Sequence, residues 1–196
     1  MREVELKGIV PDIDAARVAL RAAGAALVYR GRLEDKRYDS PERALALRDH
    51  VLRLRVYRDG TVRAMLDWKG PTTYVDGYKV REEHSVTVGE PEALESMLDR
   101  IGYVITREID REIAQYNYAG AVVRFERYPR MDILVEVEGE PAAIEHAISA
   151  LGMAREGFTT ERLPDFVLKF ESRTGERAAI CDRELLGEYR YSANDA

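Results

Sequence analysis

The first strand-like segment of the chain alternates charged and apolar side chains. Glu3, Glu5 and Lys7 are separated by Val4 and Leu6. Because successive side chains of an extended strand point to opposite faces, the three charged side chains share one face and the two apolar side chains share the other. This segment therefore predicts a strand with one charged and one apolar face. An ordinary strand whose charged face is exposed to solvent would show the same pattern.

The same alternation recurs along the chain, and its recurrence is what constrains the fold. The later segments span residues 51–56, 64–69, 78–83 and 133–138. Their charged side chains are Arg53, Arg55, Asp67, Lys69, Lys79, Arg81, Glu83, Glu136 and Glu138. Acids dominate the first and last segments, whereas arginine and lysine dominate the middle ones, and solvated faces usually mix the two signs. The pattern predicts an α+β fold, an antiparallel β-barrel with a charged interior and helices packed on its apolar outside.

A charged interior of this size restricts what the barrel can contain. Buried charges are costly unless they are paired or solvated, so the interior is expected to be a water-filled tunnel or a ligand site. Clustered arginine and lysine side chains bind phosphate oxygens. Paired carboxylates are hard oxygen ligands that suit Mg²⁺ or Mn²⁺ together with water and substrate phosphates. Acids beside bases in one interior therefore suggest a metal-bound polyphosphate.

Five motifs of the chain resemble, in order, those of the CYTH family of triphosphate tunnel metalloenzymes. They are Glu-x-Glu-x-Lys from residue 3, Leu-Arg-Leu-Arg from residue 52, Asp-Trp-Lys-Gly-Pro from residue 67, Lys-x-Arg-x-Glu from residue 79 and Glu-x-Glu from residue 136. The family includes class IV adenylate cyclases, thiamine triphosphatases and inorganic triphosphatases. The motifs fall within roughly residues 1 to 140, and the resemblance implies a single tunnel domain, which we place at residues 1–177.

The resemblance also implies roles for individual residues. The triphosphate would be bound by Lys7, Arg53, Arg55, Lys69, Lys79, Arg81, Arg107 and Arg111. The metal, Mg²⁺ or Mn²⁺, would be held by Glu3, Glu5, Glu83, Glu126, Glu136 and Glu138. In a hydrolase, either Lys7 as the catalytic residue or a second metal ion would activate the attacking water.

The chain departs from the family pattern in several places. Glu126 stands where relatives tend to carry aspartate, Ser85 stands where they often carry a further glutamate, and residues 128–131 replace a glycine-rich turn. Arg107 and Arg111 lie in a stretch whose isoleucines recur every fourth residue, so strand and helix are both open there. These departures affect the assignment of one metal ligand and two phosphate ligands.

The remaining segments predict the organisation around the barrel. Helices that begin at Pro91 and Pro141 each follow a strand, since proline favours the first helical turn. The polar segment 31–49 predicts a connection or lid, although its Asp-Lys-Arg-Tyr-Asp stretch from residue 35 partly matches a family strand motif. A helix over 164–171 is expected to cover an open end of the barrel. Residues 178–196 predict a mobile C-terminal tail.

Composition restricts the partners and the compartment. The formal net charge of −6 argues against a general nucleic-acid binder. No apolar run approaches the roughly 20 residues that span a bilayer, which predicts a protein without a membrane segment. The single cysteine, Cys181, cannot form an internal disulfide, which favours a cytoplasmic location. A homodimer is left open.

Phosphoryl chemistry needs charge neutralisation and alignment more than a covalent nucleophile. Hydrolysis requires the fewest groups, so a triphosphatase acting on inorganic triphosphate, thiamine triphosphate or ATP is the first hypothesis. The second is an adenylate cyclase, which needs an adenine and ribose site that no residues mark. The third is a noncatalytic polyphosphate-binding module, which the loss of a metal carboxylate would favour, whereas Glu3, Glu5, Glu136 and Glu138 are all present.

Overall fold

A computed structural model describes residues 2–190 of the chain. Within this range the strands are β1 (Arg2–Ile9), β2 (Ala26–Asp39), β3 (Val51–Arg58), β4 (Val62–Lys69), β5 (Thr73–Val75), β6 (Tyr78–Val88), β7 (Val104–Tyr118), β8 (Ala121–Arg127), β9 (Leu134–Glu138) and β10 (Phe158–Thr159). The α-helices are α1 (Ile13–Ala22), α2 (Pro91–Arg100), α3 (Pro141–Ala150), α4 (Leu163–Thr174) and α5 (Asp182–Leu185). None of these helices is long and apolar enough to cross a membrane.

Eight of the strands form a closed antiparallel barrel. Around the barrel the order is β1, β9, β8, β7, β2, β3, β4 and β6, and pairing of β6 with β1 closes the ring. Glu5 of β1 pairs with Glu138 of β9 on one side and with Lys79 of β6 on the other. The register therefore brings charged residues of neighbouring strands to the same level, and the predicted barrel is confirmed.

The apolar face of the barrel is the hydrophobic core, and it lies outside the ring. Val4 and Leu6 of β1 are buried there. The helix residues that pack with them are Ala16 and Leu20 of α1 and Ile144, Ala147, Ile148 and Leu151 around α3. Each fully buried leucine or isoleucine contributes about 1.5–3 kcal/mol. This burial determines which face of each strand points inward, because a shift of one residue would invert every side chain.

Local signals in the sequence explain where the helices begin and end. The Asp12 side chain accepts hydrogen bonds from the backbone N–H groups of Asp14 and Ala15, which caps α1. Pro91 and Pro141 are the first residues of α2 and α3, as the sequence predicted. Three strand-to-helix units result, β1–α1, β6–α2 and β9–α3, and each helix packs on the outside of the ring.

The fourth helix closes one end of the barrel. Its buried side chains Leu163, Phe166, Val167 and Phe170 pack with Ile109 of β7, with Tyr128 just after β8 and with Leu134 at the start of β9. Leu163 and Pro164 also line the interior cavity at that end. The helix predicted over 164–171 is thus part of α4.

In the middle of the chain, one interpretation is corrected and one that the sequence left open is decided. Most of segment 31–49 is not a lid, because β2 extends to Asp39 and pairs with β3 and β7 along its length. The stretch containing Arg107 and Arg111 is strand β7 rather than helix. An interval of four residues also fits a strand, since Ile109 and Ile113 then lie on the same, inner face. Hydrogen bonds to β2 on one side and to β8 on the other hold the stretch in the strand conformation.

The start of the predicted C-terminal tail is also corrected. Residues 178–181 are buried, and Ala179 forms a β-bridge with Arg130. The backbone N–H of Asp110 donates to the carbonyl oxygen of Ile180 at 2.8 Å. The side chains of Ala178 and Ile180 pack with Ile109 and with the buried side chains of α4, and a freely moving tail would expose them. The last part of the predicted tail, residues 191–196, lies outside the described residues.

Candidate functional site

The inward side chains line a charged interior that consists of two adjoining chambers. Arg55 and Arg124 line both chambers and lie between them. We call the first the basic chamber; its charged lining residues are Glu5, Lys7, Asp35, Arg37, Asp49, Arg53, Arg55, Lys69, Lys79, Arg81, Arg111, Arg124, Glu126, Glu136 and Arg162. We call the second the acidic chamber; its carboxylates are Glu3, Asp67, Glu83 and Glu138. The barrel therefore separates a mainly cationic cavity from a mainly anionic one.

Asp35 organises the arginines of the basic chamber. Its carboxylate accepts hydrogen bonds from Nε and Nη2 of Arg55 at 2.8 and 3.1 Å and from Nη2 of Arg111 at 3.0 Å. Nη1 of Arg53 lies 3.6 Å away. Burial alone would raise the pKa of Asp35, but the three guanidinium groups outweigh burial and hold this pKa well below its usual range. Asp35 therefore stays ionised and aims the arginine side chains.

Glu126 provides a second buried anchor. Nε of Arg111 donates to it at 2.9 Å, the Tyr128 hydroxyl donates at 2.7 Å, and Nε of Arg124 lies 3.3 Å away. Burial opposes ionisation, yet Arg111 and Arg124 lower the pKa of Glu126 to about 2. Each inward arginine of this wall thus has a fixed orientation before any ligand binds.

We predict that acid destabilises the protein through these carboxylates. The pKa of Glu126 is about 2 in the folded chain against an ordinary 4.5, so the unfolded chain binds more protons between these values. Its contribution to stability, on the order of 3 kcal/mol, is present above pH ~4.5 and lost as pH falls towards 2. Thermal unfolding measured from pH 5 to 2 should show this slope, and Glu126→Gln should flatten it. An unchanged slope in the variant would contradict the assignment.

The lysines of the basic chamber contact its glutamates. Nζ of Lys7 lies 3.0 Å from Glu5 and also contacts Glu136, whose other close partner is Arg124. Nζ of Lys79 donates to Glu5 at 2.5 Å. Burial lowers the pKa of Lys79 to about 8, and the ammonium groups of Lys7 and Lys69 add to this effect against the attraction of Glu5. The lysines therefore repel one another and are available to neutralise further negative charge.

Arg81 differs from the other arginines in its partners. It donates to the backbone carbonyl oxygens of Gly70 at 2.7 Å and Asp49 at 2.5 Å. Burial lowers its pKa. The carbonyl groups orient the guanidinium without neutralising it, and the carboxylate of Asp49 lies 3.9 Å away, so Arg81 faces the chamber only weakly paired.

Glu138 differs from the other carboxylates of the acidic chamber in its partners. Lys69 bridges Glu3 at 2.6 Å and Glu83 at 3.2 Å, and Arg53 pairs with Asp67 at 2.6 Å. By contrast, among residues 2–190 no basic side chain lies within ion-pair distance of Glu138. Burial raises the pKa of Glu138, and the carboxylates of Glu3 and Glu5 raise it further against the more distant attraction of Arg124 and Lys69. A cation beside Glu138 would remove this repulsion.

The donor chemistry around Glu138 fits a divalent metal ion. Glu3, Glu5 and Glu138 are oxygen donors that interact electrostatically, as the shifted pKa values of Glu3 and Glu138 show. In the described part of the chain, however, no three acidic, histidine or cysteine side chains converge as they stand on one metal position. Lys69 and Lys79 instead form ion pairs with Glu3 and Glu5, so a bound metal ion would have to replace these ammonium groups.

The structure brings most of the residues predicted for the site into this interior. Lys7, Arg53, Arg55, Lys69, Lys79, Arg81, Arg111, Glu5, Glu126 and Glu136 line the basic chamber, and Glu3, Glu83 and Glu138 line the acidic chamber. Arg107 is fully buried but lines neither chamber. The predicted metal ligands are therefore spread over both chambers rather than gathered at one point.

Sequence reasoning missed several residues of the interior. Asp35, Arg37, Asp67, Arg124 and Arg162 all line a chamber and were not predicted as site residues. Arg124 could have been found, because Arg124 and Glu126 alternate with the apolar Val123 and Phe125 as in the other charged strands. Asp35 and Arg37 carried no such signal, since both faces of β2 are polar there.

Comparisons with known proteins agree with this architecture. The sequence model of the CYTH domain matches residues 1–146. A Vibrio parahaemolyticus protein described as a candidate adenylate cyclase has a TM-score of 0.72 at 16% identity, covering 85% of this chain and 97% of that chain. A Pyrococcus horikoshii protein has a TM-score of 0.68 at 24% identity, covering 85% and 98%.

A Hippeastrum protein described as a candidate adenylyl cyclase with a dominant triphosphatase activity has a TM-score of 0.62 at 15% identity. That alignment covers 91% of this chain and 98% of the Hippeastrum chain. A comparison with curated protein sequences gave no match. At these identities the solved structures show a shared fold, and the chemistry has to be argued from the residues of this chain.

Proposed function

The chain belongs to the CYTH family, and we propose that it is a metal-dependent triphosphatase that cleaves a phosphoanhydride bond inside the barrel. The charge of the basic chamber is the main support for this function. Ten basic side chains and five carboxylates line it. This excess of five positive charges is enclosed by the barrel, where charges interact more strongly than they do in bulk water. A highly charged linear anion is the ligand that such a cavity stabilises best.

The chamber walls supply two kinds of phosphate contact. Asp35 and Glu126 hold the planar forks of Arg55 and Arg111, and Asp67 holds the fork of Arg53. Such forks match phosphate oxygens in two-point contacts. Lys7 and Lys79 act as point charges on the opposite wall. Fixed donors of this kind stabilise charge that develops in the transition state without reorganising during the reaction.

A metal ion would be held by Glu3, Glu5 and Glu138. When bound, Mg²⁺ or Mn²⁺ would neutralise phosphate charge and act as a Lewis acid towards the phosphoryl group. Lys7, between Glu5 and Glu136, orients the attacking water or the phosphate oxygen next to it. The closed barrel limits the access of bulk water, which strengthens each of these electrostatic contacts.

An adenylate cyclase is the second candidate, because two of the structural neighbours are described as candidate cyclases. A cyclase would need a surface that stacks on adenine. Tyr128 is the tyrosine of the basic chamber, but its hydroxyl is bound to Glu126 and the Arg111 guanidinium lies over its ring at 6.0 Å. Tyr128 is thus already engaged, which favours hydrolysis over cyclisation. A cytoplasmic location, a homodimer and the lack of a nucleic-acid partner remain predictions from the sequence.

A product assay tests the proposed function. The purified chain is incubated with Mg²⁺ or Mn²⁺ and with inorganic triphosphate, thiamine triphosphate or ATP, and phosphate, pyrophosphate and cyclic AMP are measured separately. Phosphate release supports the triphosphatase. Cyclic AMP and pyrophosphate from ATP would show a cyclase, and tight triphosphate binding without any product would show a noncatalytic module.

We predict that Arg53→Ala weakens triphosphate binding about 10-fold to 150-fold, because a hydrogen bond to a charged group contributes roughly 1.5–3 kcal/mol. Arg53→Lys should restore only part of the affinity, since an ammonium group lacks the planar fork. Arg58→Ala is the matched control, because Arg58 ends the same strand but pairs with Glu34 on the outside. Calorimetric titration at fixed Mg²⁺ measures all three variants. Equal affinities for Arg53→Ala and Arg58→Ala would contradict the role of Arg53.

A further inference from the structure

Arg37 occupies an unusual position at one end of the basic chamber. On β2 it pairs directly with Arg53 of β3 on one side and with Arg107 of β7 on the other. Three arginines therefore lie in a row across three neighbouring strands. Like charges that face each other across a sheet are destabilising, so this row needs a compensating negative charge.

Among residues 2–190, a carboxylate compensates the charge of Arg53 in this row, whereas none pairs with Arg37. Arg53 has Asp67 at 2.6 Å. Within residues 2–190 no carboxylate lies within ion-pair distance of the Arg37 side chain, and its buried Nε has no hydrogen-bond partner. The acids two residues away on either side along the strand are already engaged. Asp35 is bound by Arg55 and Arg111, and Asp39 accepts hydrogen bonds from the backbone N–H groups of Leu45 and Ala46. Burial lowers the pKa of Arg37 to about 9, and the positive charges of Arg107 and Arg53 lower it further. The site therefore has cationic charge in excess.

The position of Arg37 shows what could supply the missing charge. Arg37 lines the basic chamber and also an adjoining groove at the same end of the barrel, whose other lining residues include Asp39, Arg43, His50, Val51 and Thr106. A ligand that reaches this end of the chamber meets Arg37 and Arg53 together. An anionic end group would satisfy both guanidinium groups, whereas an uncharged sugar or base would leave the excess charge uncompensated.

We propose that Arg37 is a specificity-determining residue that binds a terminal phosphoryl group at the His50 end of the basic chamber and so favours inorganic triphosphate over nucleoside triphosphates. This inference rests on the proposed function, which identifies the anion as a triphosphate. It adds that the chamber recognises the terminal phosphoryl group of that anion. The ester-linked end of a nucleotide has one fewer ionisable oxygen and a bulky substituent. Inorganic triphosphate therefore presents a terminal phosphoryl group to Arg37 in either orientation, whereas a nucleotide does so only when its free end enters first.

The test compares Arg37→Gln, Arg37→Lys and the control Lys36→Gln. Lys36 immediately precedes Arg37 on β2, but its side chain points outward and pairs with Glu95 at 2.7 Å. Affinities for inorganic triphosphate and for ATP are measured by calorimetry at fixed Mg²⁺, together with the thermal unfolding midpoint of each variant. Because binding is the main readout, the inference is tested even if the chain hydrolyses neither ligand.

We expect Arg37→Gln to weaken triphosphate binding about 10-fold or more and to weaken ATP binding less. Arg37→Lys should retain an intermediate affinity, and Lys36→Gln should bind as the unmodified chain does. The midpoint of Arg37→Gln should not fall, since removing a charge from the arginine row relieves repulsion.

Unchanged triphosphate affinity, or an equal loss for both ligands, would overturn the inference. A fall in the midpoint with unchanged affinity would also overturn it, since that result indicates a structural role. Absence of turnover with the expected affinities would instead refute only the triphosphatase activity.

Discussion

Replacing Asp35 with alanine should lower the free energy of unfolding by about 3–5 kcal/mol, the range for removing one partner of a buried ion pair. Asp35 is 1% exposed and compensates Arg55 and Arg111 directly, with Arg53 at 3.6 Å. Without its carboxylate, these guanidinium groups remain close together in the barrel. Urea unfolding at neutral pH measures the loss.

Glu34→Ala is the matched control for this prediction. Glu34 is the preceding residue on the outward face of β2, where it pairs with Arg32 and Arg58 at 2.8 Å. These pairs are partly exposed, so the change should cost about 1 kcal/mol or less. Equal losses for the two variants would show that Asp35 does not organise the interior.

Inorganic triphosphate should recover part of the stability of Asp35→Ala. A ligand that binds only the folded chain stabilises it by an amount that grows with the logarithm of the ratio of free ligand concentration to Kd. In this variant the triphosphate would also supply negative charge to the arginines that lost Asp35. A larger stabilisation of the variant than of the unmodified chain, measured at equal free triphosphate concentration, is the expected result, and a smaller one would argue against anion binding by these arginines.

Glu138→Gln should reduce metal-dependent turnover about 100-fold or more, because a bound metal ion contributes several kcal/mol to the transition state. The same change should leave the thermal midpoint unaltered or raise it. The carboxylate has no basic partner among residues 2–190, and the neighbouring Glu3 and Glu5 repel it. Turnover at a series of Mg²⁺ and Mn²⁺ concentrations, with unfolding measured in parallel, checks both parts.

Two further variants separate metal binding from structural pairing. Glu136→Gln removes a carboxylate that pairs with Arg124 and Lys7, so it should lose stability as well as activity. Glu112→Gln, on the exposed face of β7, should change neither property. If Glu138→Gln retained full turnover at limiting metal, Glu138 could not be a metal ligand.

The alternation of side chains was enough to determine which face of most strands points inward. Glu3, Glu5, Arg53, Arg81 and Glu136 are inside because the apolar residues beside them need the core outside the ring. This inference is local and depends only on the two-residue period of a strand. It fails on β2, because outward residues such as Lys36 are also charged, and they are stabilised by partners on distant helices, here Glu95 of α2.

The sequence by itself therefore determined the barrel, its charged interior and most of the side chains that line it. Only the tertiary structure decided how the charges are paired, which carboxylate is left without a cation and which end of the interior is basic. It also placed residues 178–181 against the barrel instead of in a tail. The physical reason is that strand alternation assigns a side chain to a face, whereas pairing depends on the level of each residue along the barrel axis. That level is fixed only when strands distant in the sequence, such as β1, β6 and β9, hydrogen-bond in register.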